Sequence, residues 1–518
     1  MNKKDNNSIF LRKSLLMSVA TFLSRILGFF RVILASNYLG GGVFMSAWVA
    51  AFKVPNMFRR LLGEGALGTA LVPLITHTIE SKGAKTAKEQ FNTIFLFLGL
   101  LLAILSILVG VISYGLSFCE WETYIKICFQ LIPILIPYAL FICLTGVATS
   151  LLNSLGEFFK PALIALLMNI SFIIAFLIFG PMFFNKPLSL LNSLAIAVLI
   201  AGIGQLALSL FLLKKYDFFP KLNLKYLRNT QTIKDLWKLT LPGLIGAGVL
   251  QISVLIDTIL ALSINEFASP ALECSERLIY LPIGVFAVAI GAVSLTKMSK
   301  AAAKKDYDDL IETMTCAVRQ LLFICIPISI FLVFYSNDVI IAVFHRGRFD
   351  MQAVSETAYA LRFYALGIPF FAMIKPVLSG FYSRKEMTTP FKVSLICITT
   401  NIILNLILMQ YLKQGGIALA TVLSSILNSV ILLTLLKKKF NQLHLIKIFI
   451  TFIVSSIIAV FAINVLDYWF QYLKNIEIHL LFKIGIEFIL FFLFYLLINY
   501  LCKRKETEEL FAVFFNKF

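Results

Sequence analysis

The sequence predicts an all-α polytopic membrane protein of about fourteen transmembrane helices, built as two six-helix lobes in parallel repeat plus two extra C-terminal helices. Three observations carry that expectation. Of the 518 residues, 59% are apolar and the mean hydropathy is +0.90, which excludes an ordinary soluble chain. Apolar runs of about twenty residues recur, and each can cross a hydrocarbon core of about 30 Å. Two pairs of segments also match at a common offset of about 223 residues.

Hydropathy places spans near 11–38, 42–64, 90–115, 127–152, 161–181, 190–213 and 237–263, then 271–296, 313–335, 356–381, 391–411, 416–436, 446–470 and 480–502. The basic start MNKKDNNSIFLRKS is not followed by a short apolar core and a small-residue cleavage site, so a retained first span is expected. The eight cysteines form no CxxC pair and lie mostly in apolar runs, as buried small hydrophobes do. Cys119 and Cys128 flank an outer loop, where a disulfide is one option.

The net charge of +19 could suggest nucleic acid, but its distribution argues for topology instead. One set of loops holds KGAKTAK, KKYDFFPKLNLKYLRNTQTIKDLWK, KMSKAAAKK, SRKE, KKK and CKRK. The opposite set holds little beyond Lys126, Lys186, Arg346, Arg348, Lys413 and Lys474. A split of roughly thirty Lys and Arg against about seven puts the first set, and both termini, in the cytoplasm.

In the repeat, Ala66–His77 lies opposite Ala289–Lys300, and Leu194–Lys215 opposite Ile417–Lys438. Six spans is an even number, so the copies share one orientation, as in transporters whose halves are related about the membrane normal. The expected divisions are an N-terminal lobe at 1–215, a cytoplasmic linker at 216–236, a C-terminal lobe at 237–438, and two further helices at 439–518.

Charges within the spans mark the candidate site. Span 1 carries Arg25 and Arg31 beside Ser24; span 2 carries Lys53, Arg59, Arg60 and Glu64. At helical spacing Arg60 and Glu64 share a face and can pair, and Lys53 shares it too. Pro55, Gly63, Gly65 and Gly68 loosen span 2. Arg31 and Lys53 could snorkel to an interface. Five cations against one acid could not all do so, at about 2.5–3.5 kcal/mol for each unpaired one at the bilayer centre. Such a cluster suits an anion. Span 8 adds Glu276 and Arg277, which could neutralise each other or face a cavity. Asp257 is the sole acid of span 7, while Asn401 and Asn405 share a face of span 11 and Thr421 lies on span 12. These are hard oxygen donors of the kind Na⁺ takes, although amides and hydroxyls in membrane helices also bond one another.

SRILGFFR, AFKVPNMFRRLLGEGA, ERLIYLPIG and GFYSRKEMTTPFK, in that order, resemble the MurJ/MviN family of lipid II flippases, within the multidrug and polysaccharide exporter superfamily. The resemblance spans essentially the whole chain. It implies two six-helix lobes around a cationic cavity, and a two-helix groove for the polyprenyl tail. It implies that lipid II, an undecaprenyl-pyrophosphate disaccharide-pentapeptide, moves from the inner to the outer leaflet of the bacterial cytoplasmic membrane by alternating access. By motif it assigns substrate binding to Arg25, Arg31, Arg59, Arg60, Glu64 and Arg277, with Ser24, Lys53 and Glu276 as secondary cavity positions. Convergent arginines suit a pyrophosphate, which they bind bidentately. Sodium use in some of these exporters makes Asp257, Asn401, Asn405 and Thr421 an expected Na⁺ site, and cell-wall synthesis proteins are candidate partners. The chain departs from the family at Ser46 and Tyr280, where acids are usual, which puts the gating contacts of those acids in doubt.

A flippase for another polyprenyl-pyrophosphate glycan would present the same anionic headgroup. A drug exporter of cations should carry acids where this chain carries arginines. An enzyme acting on polyprenyl phosphates would need a catalytic set. No paired carboxylates, metal spacing or nucleophile triad stands out, and the four histidines are far apart in sequence.

Overall fold

The structure, a computed structural model, describes residues 23–509 apart from 64, 65, 158, 222, 441, 442 and 474–478. It is helical, with no strand among the described residues. α1 (23–39) is followed by α2 (Val43–Phe58), a π-helical turn (Arg59–Gly63), α3 (Ala66–Leu116), α4 (Thr123–Leu135), α5 (Pro137–Ser154), α6 (Phe159–Met182), α7 (Pro187–Lys214) and α8 (Thr230–Ile264). α9 (Ala268–Pro282), a second π-turn (Ile283–Ala287), α10 (Val288–Ala303), α11 (Tyr307–Phe334) and α12 (Ser336–Phe344) come next. α13 (Met351–Leu366), α14 (Ile368–Tyr382), α15 (Thr388–Lys439), α16 (Leu445–Leu473) and α17 (Leu480–Leu501) complete the chain.

Among the described residues ten helices are long and apolar enough to cross a membrane, and eleven if the pair α13–α14, bent by 41°, counts as one. The difference from fourteen has physical causes. α15 is two antiparallel helices joined at Lys413, whose left-handed backbone (φ 48°) reverses the chain. Gly416 permits that reversal, since a Cβ there would lie 2.3 Å from the carbonyl oxygen of Leu408. α2 stops after 16 residues at its π-turn, and of α1 only residues 23–39 are described. α3 breaks at Gly83 (φ 83°), so a helix at 66–82 precedes the expected span.

Contacts divide the chain into two compact units. Unit 1 comprises 1–262 with Arg346–Phe349, and unit 2 the remainder. The division follows α8, one helix later than the linker at 216–236. In unit 1, α3 packs on α5 through Leu71, Phe91, Leu98, Val147 and Leu151, and Phe218 and Leu236 of the linker join that core. In unit 2, α11 is the central helix and packs on α10, α13, α14 and α16. α17 attaches to it through Phe331, whose ring meets Phe488 and Phe491 at 5.1 and 5.7 Å, and through Tyr495, which donates to the Phe323 carbonyl at 3.0 Å. Beyond α17 the chain turns at Lys503 (φ 51°). Glu506, 1% exposed, then accepts hydrogen bonds from Arg319 (2.8 Å), Arg504 (3.2 Å) and Thr451 (2.6 Å).

Each unit ties its helix ends with one carboxylate. In unit 1, Glu157 accepts from Lys160 (2.7 Å) and from Tyr216 beyond α7 (2.6 Å). In unit 2, Glu386 accepts from Arg384, Thr389 (2.5 Å) and Lys439 at the end of α15 (2.6 Å). Both glutamates stand four residues before a proline, in EFFKP and EMTTP. This is what the GFYSRKEMTTPFK motif builds. Burial acts to raise the Glu386 carboxyl, but hydrogen bonds from Lys439 and Thr389 and the charge of Arg384 hold it below the ordinary range. No disulfide joins Cys119 and Cys128: Cys119 is exposed, Cys128 is buried in α4, and both are free.

Candidate functional site: cations within apolar helices

In unit 1 the expected cations lie on α1, α2 and the π-turn that follows α2. Arg25 is exposed on α1, and among the described residues no carboxylate pairs with it or with half-buried Lys53 on α2. Arg59 is half-buried and donates through Nε to Asn56 Oδ1 at 3.0 Å; Arg60 is exposed. Both sit in the π-turn, where the backbone bonds one residue further along than in an α-helix. The shared face expected of Lys53, Arg60 and Glu64 assumed unbroken α-helical spacing, and the wider turn re-aims the two arginines. Glu64 lies outside the described residues.

The sequence locates this loosened turn, but its cause is tertiary. Gly146 of α5 presses on Gly63 so closely that a Cβ would lie 2.2 Å from the Gly63 carbonyl oxygen. Cys143 donates its thiol hydrogen to the Phe58 carbonyl, with sulfur and oxygen 3.4 Å apart. That contact supplies a partner where the α-helical ladder is interrupted.

Arg31 differs from its neighbours. Its guanidinium lies 4.9 Å from the ring of Phe172 and 5.8 Å from that of Phe52, and donates to Asn169 Oδ1 at 3.4 Å. Asn169 in turn donates to the Ser24 carbonyl (3.1 Å) and hydroxyl (3.3 Å). The charge of Arg31 is held by aromatic faces where α1, α2 and α6 meet, an arrangement worth about 2 kcal/mol when desolvated. Ser24 and Arg31 therefore fix helix positions. Ser46 is fully buried and its hydroxyl has no partner among the described residues. An acid at this place would be buried in the packing of unit 1, so the serine suits the interior.

In unit 2, Arg277 pairs with Glu273 one turn earlier at 2.6 Å. Its neighbour Glu276 accepts from the Tyr364 hydroxyl of α13 at 3.4 Å. The i, i+4 spacing of Glu273 and Arg277 was the available signal, and the adjacency of Glu276 obscured it. Tyr280 is exposed, with its ring 6.4 Å from that of Phe371. Sequence reading also passed over Lys375, exposed within the apolar helix α14, where no carboxylate pairs with it among the described residues. A single Lys inside IPFFAMIKPVLSG was its signal.

The expected ion donors are partly assembled. Asn405 donates to Asn401 Oδ1 at 3.2 Å, and Asn401 to Thr421 Oγ1 at 3.4 Å, across the two arms of α15. Asp257 is half-buried on α8, in unit 1.

Against known families, the profile described as "Lipid II flippase MurJ" matches residues 35–486. A probable lipid II flippase MurJ of Buchnera aphidicola (from Acyrthosiphon pisum) is 31% identical over 468 residues, covering 88% of this chain and 89% of that protein. One from Rhizobium tropici is 30% identical, covering 83% of this chain and 81% of that protein. A lipid II flippase MurJ of Burkholderia cenocepacia is 27% identical, covering 83% and 84%. Among solved structures, a lipid II flippase MurJ in an inward closed conformation aligns with TM-score 0.77 and 25% identity, covering 95% of this chain and all of that one. An inward-facing multidrug MATE transporter aligns with TM-score 0.65 at 15% identity, covering 81% and 95%, a likeness of fold alone.

Proposed function

This chain belongs to the lipid II flippase MurJ family, and we propose from that premise that Arg25, Arg59 and Arg60 of unit 1 receive the pyrophosphate of lipid II. The protein is a multi-pass lipid II flippase of the bacterial inner membrane, a transporter in peptidoglycan synthesis. The observation that supports the site is an exposed Arg25 inside an apolar helix, with no carboxylate partner among the described residues, in the same unit as the re-aimed pair Arg59–Arg60. A cation so placed is costly unless an anion visits it. Guanidinium groups hold a pyrophosphate bidentately, which a Lys ammonium cannot do. Lys53 adds charge without that fork. On unit 2 by itself, Arg277 could exchange Glu273 for a phosphate oxygen, its ion pair keeping the cation neutralised until an anion arrives.

Transport runs from the cytoplasmic to the outer leaflet by alternating access, with both termini cytoplasmic as the Lys and Arg bias implies. The recurrent π-turns, Arg59–Gly63 and Ile283–Ala287, start 224 residues apart (283 less 59) and support a duplicated lobe. Depleting the protein in its host should leave lipid II on the inner leaflet, read by leaflet-resolved labelling. An unchanged outer-leaflet signal would exclude it as the principal flippase of that cell.

Na⁺ use, expected from Asp257 and from Asn401, Asn405 and Thr421, is likewise proposed. One carboxylate and neutral oxygens suit a monovalent ion, and the hydrogen-bonded trio on α15 is already gathered. Na⁺ is expected to raise the melting temperature over K⁺ at equal ionic strength, and Asp257→Ala to remove the difference. Equal melting in both salts would leave Asp257 a structural residue.

A further inference from the structure

We propose that the linker after α7 is a folded docking arm for anionic phospholipid headgroups of the inner leaflet. The arm is built, not loose. Asn92 Oδ1 accepts from the Lys221 backbone at 3.0 Å, and Thr93 donates to the Tyr226 carbonyl at 3.2 Å. Lys88 pairs with Asp217 at 3.0 Å. Phe218 and Leu236 are buried in the core of unit 1, one on each side of the exposed stretch. Between them a short 3-10 turn (Leu224–Arg228) is capped by Asn223, whose Oδ1 accepts from Lys225 N at 3.0 Å. Asn229 accepts from Thr232 N at 3.2 Å, at the start of α8.

This scaffold turns two kinds of side chain outward. Lys221, Lys225, Arg228, Lys234 and Lys238 are all exposed. The acids on the arm are engaged, Asp217 by Lys88 and Asp235 by Gln231 at 2.8 Å. Interleaved with the cations, Leu224 is 68% exposed, Phe219 49% and Trp237 38%. The positive-inside bias asks only for charge in a loop. It does not ask for large apolar groups held outward by a pinned backbone. Cations with exposed Phe, Leu and Trp match the boundary between headgroups and acyl chains, where rings and alkyl groups enter and cations meet phosphates. An acidic protein surface would meet the charges but leave Leu224 and Phe219 in water.

The proposal rests on the cytoplasmic placement of this face, which is tested separately. Full-length protein in nanodiscs of phosphatidylcholine with increasing phosphatidylglycerol, spin-labelled at Leu224→Cys, should show the label passing into the headgroup region as the anionic fraction rises. Added salt should reverse the shift. Lys221→Gln, Lys225→Gln and Arg228→Gln together should weaken retention of phosphatidylglycerol, read by native mass spectrometry, on the order of a hundredfold. The wild-type salt dependence stands even if the triple variant folds poorly. A label equally immersed in pure phosphatidylcholine, or salt-independent retention, overturns the proposal, as does retention unchanged in a folded triple variant. Impermeant labelling of Asn223→Cys from the cytoplasmic side alone supports the sidedness. Labelling from the outer side overturns the inner-leaflet assignment, whatever the lipid measurements give.

Discussion

Arg25→Ala is expected to abolish complementation of a flippase-deficient strain while membrane abundance stays at the wild-type level. Arg25 is exposed on α1 and has no carboxylate partner among the described residues, so the fold loses little when its charge is removed. Substrate binding loses a charge-assisted, two-pronged contact, worth about 1.5–3 kcal/mol per hydrogen bond to a charged group and hence roughly ten- to a hundredfold or more in affinity. Arg25→Lys should recover only part of the function, since an ammonium keeps the charge without the fork. Arg277→Ala should also lose function. It removes the ion pair with Glu273 on α9, so a modest loss of abundance accompanies it. Arg31→Ala is the contrasting case. It removes a guanidinium packed against Phe172 and Phe52 and bonded to Asn169, so falling abundance should be its primary effect. Growth with Arg25→Ala at normal protein levels would remove the first-span arginine from headgroup recognition. Equal abundance of the Arg25 and Arg31 variants, with equal loss of function, would erase the distinction drawn between them.

That distinction was not legible in the sequence, and the reason is local. Arg25 and Arg31 both sit in SRILGFFR, and spacing alone says only that they point in different directions. The aromatic pair that holds Arg31 comes from α2 and α6, one of them 141 residues away (172 less 31). The apolar spans themselves were legible, because hydrocarbon leaves a helix few alternatives for its backbone polar groups. Breaks within the helices were not: the expected span 127–152 runs straight through Pro137, where α5 begins, and the break at Gly83 went unread. The reversal at Lys413 was legible, since the expected spans 391–411 and 416–436 part there, although a lysine takes the left-handed conformation that glycine usually takes. At the π-turn the sequence offered Gly63, but the contact that stabilises the wider turn is Gly146 of α5, invisible to any window on span 2. Glu386 had a motif without a role until Lys439 was seen to reach it from the far end of α15.

A photo-crosslinking group at Leu493 is expected to capture a polyprenyl lipid, and one at Phe491 is not. α16 and α17 enclose an apolar groove of about 530 Å³, lined by Leu466, Trp469 and Phe470 on one side and Leu490, Leu493, Phe494 and Leu497 on the other. The aromatic run Phe488–Phe494 splits between two jobs. Phe488 and Phe491 turn inward onto Phe331 of α11, whereas Phe494 faces the groove. Ordinary acyl chains are as apolar as these side chains, so burial from water cannot select a polyprenyl tail. Shape and contact must do so. Filling the space is therefore more informative than changing its polarity. Leu493→Trp should cut transport severalfold and leave headgroup affinity near the wild-type value, because the arginines of α1 and the π-turn are untouched. Leu497→Trp, one turn along the same face, should act likewise. Phe491→Ala instead empties a fully buried position in unit 2 and should cost about 3–5 kcal/mol of stability. The two faces of one helix thus predict opposite phenotypes: a stable protein with impaired transport, and an unstable protein. Capture of phospholipid alone at Leu493, with normal transport in Leu493→Trp, would leave the groove an ordinary lipid-facing seam.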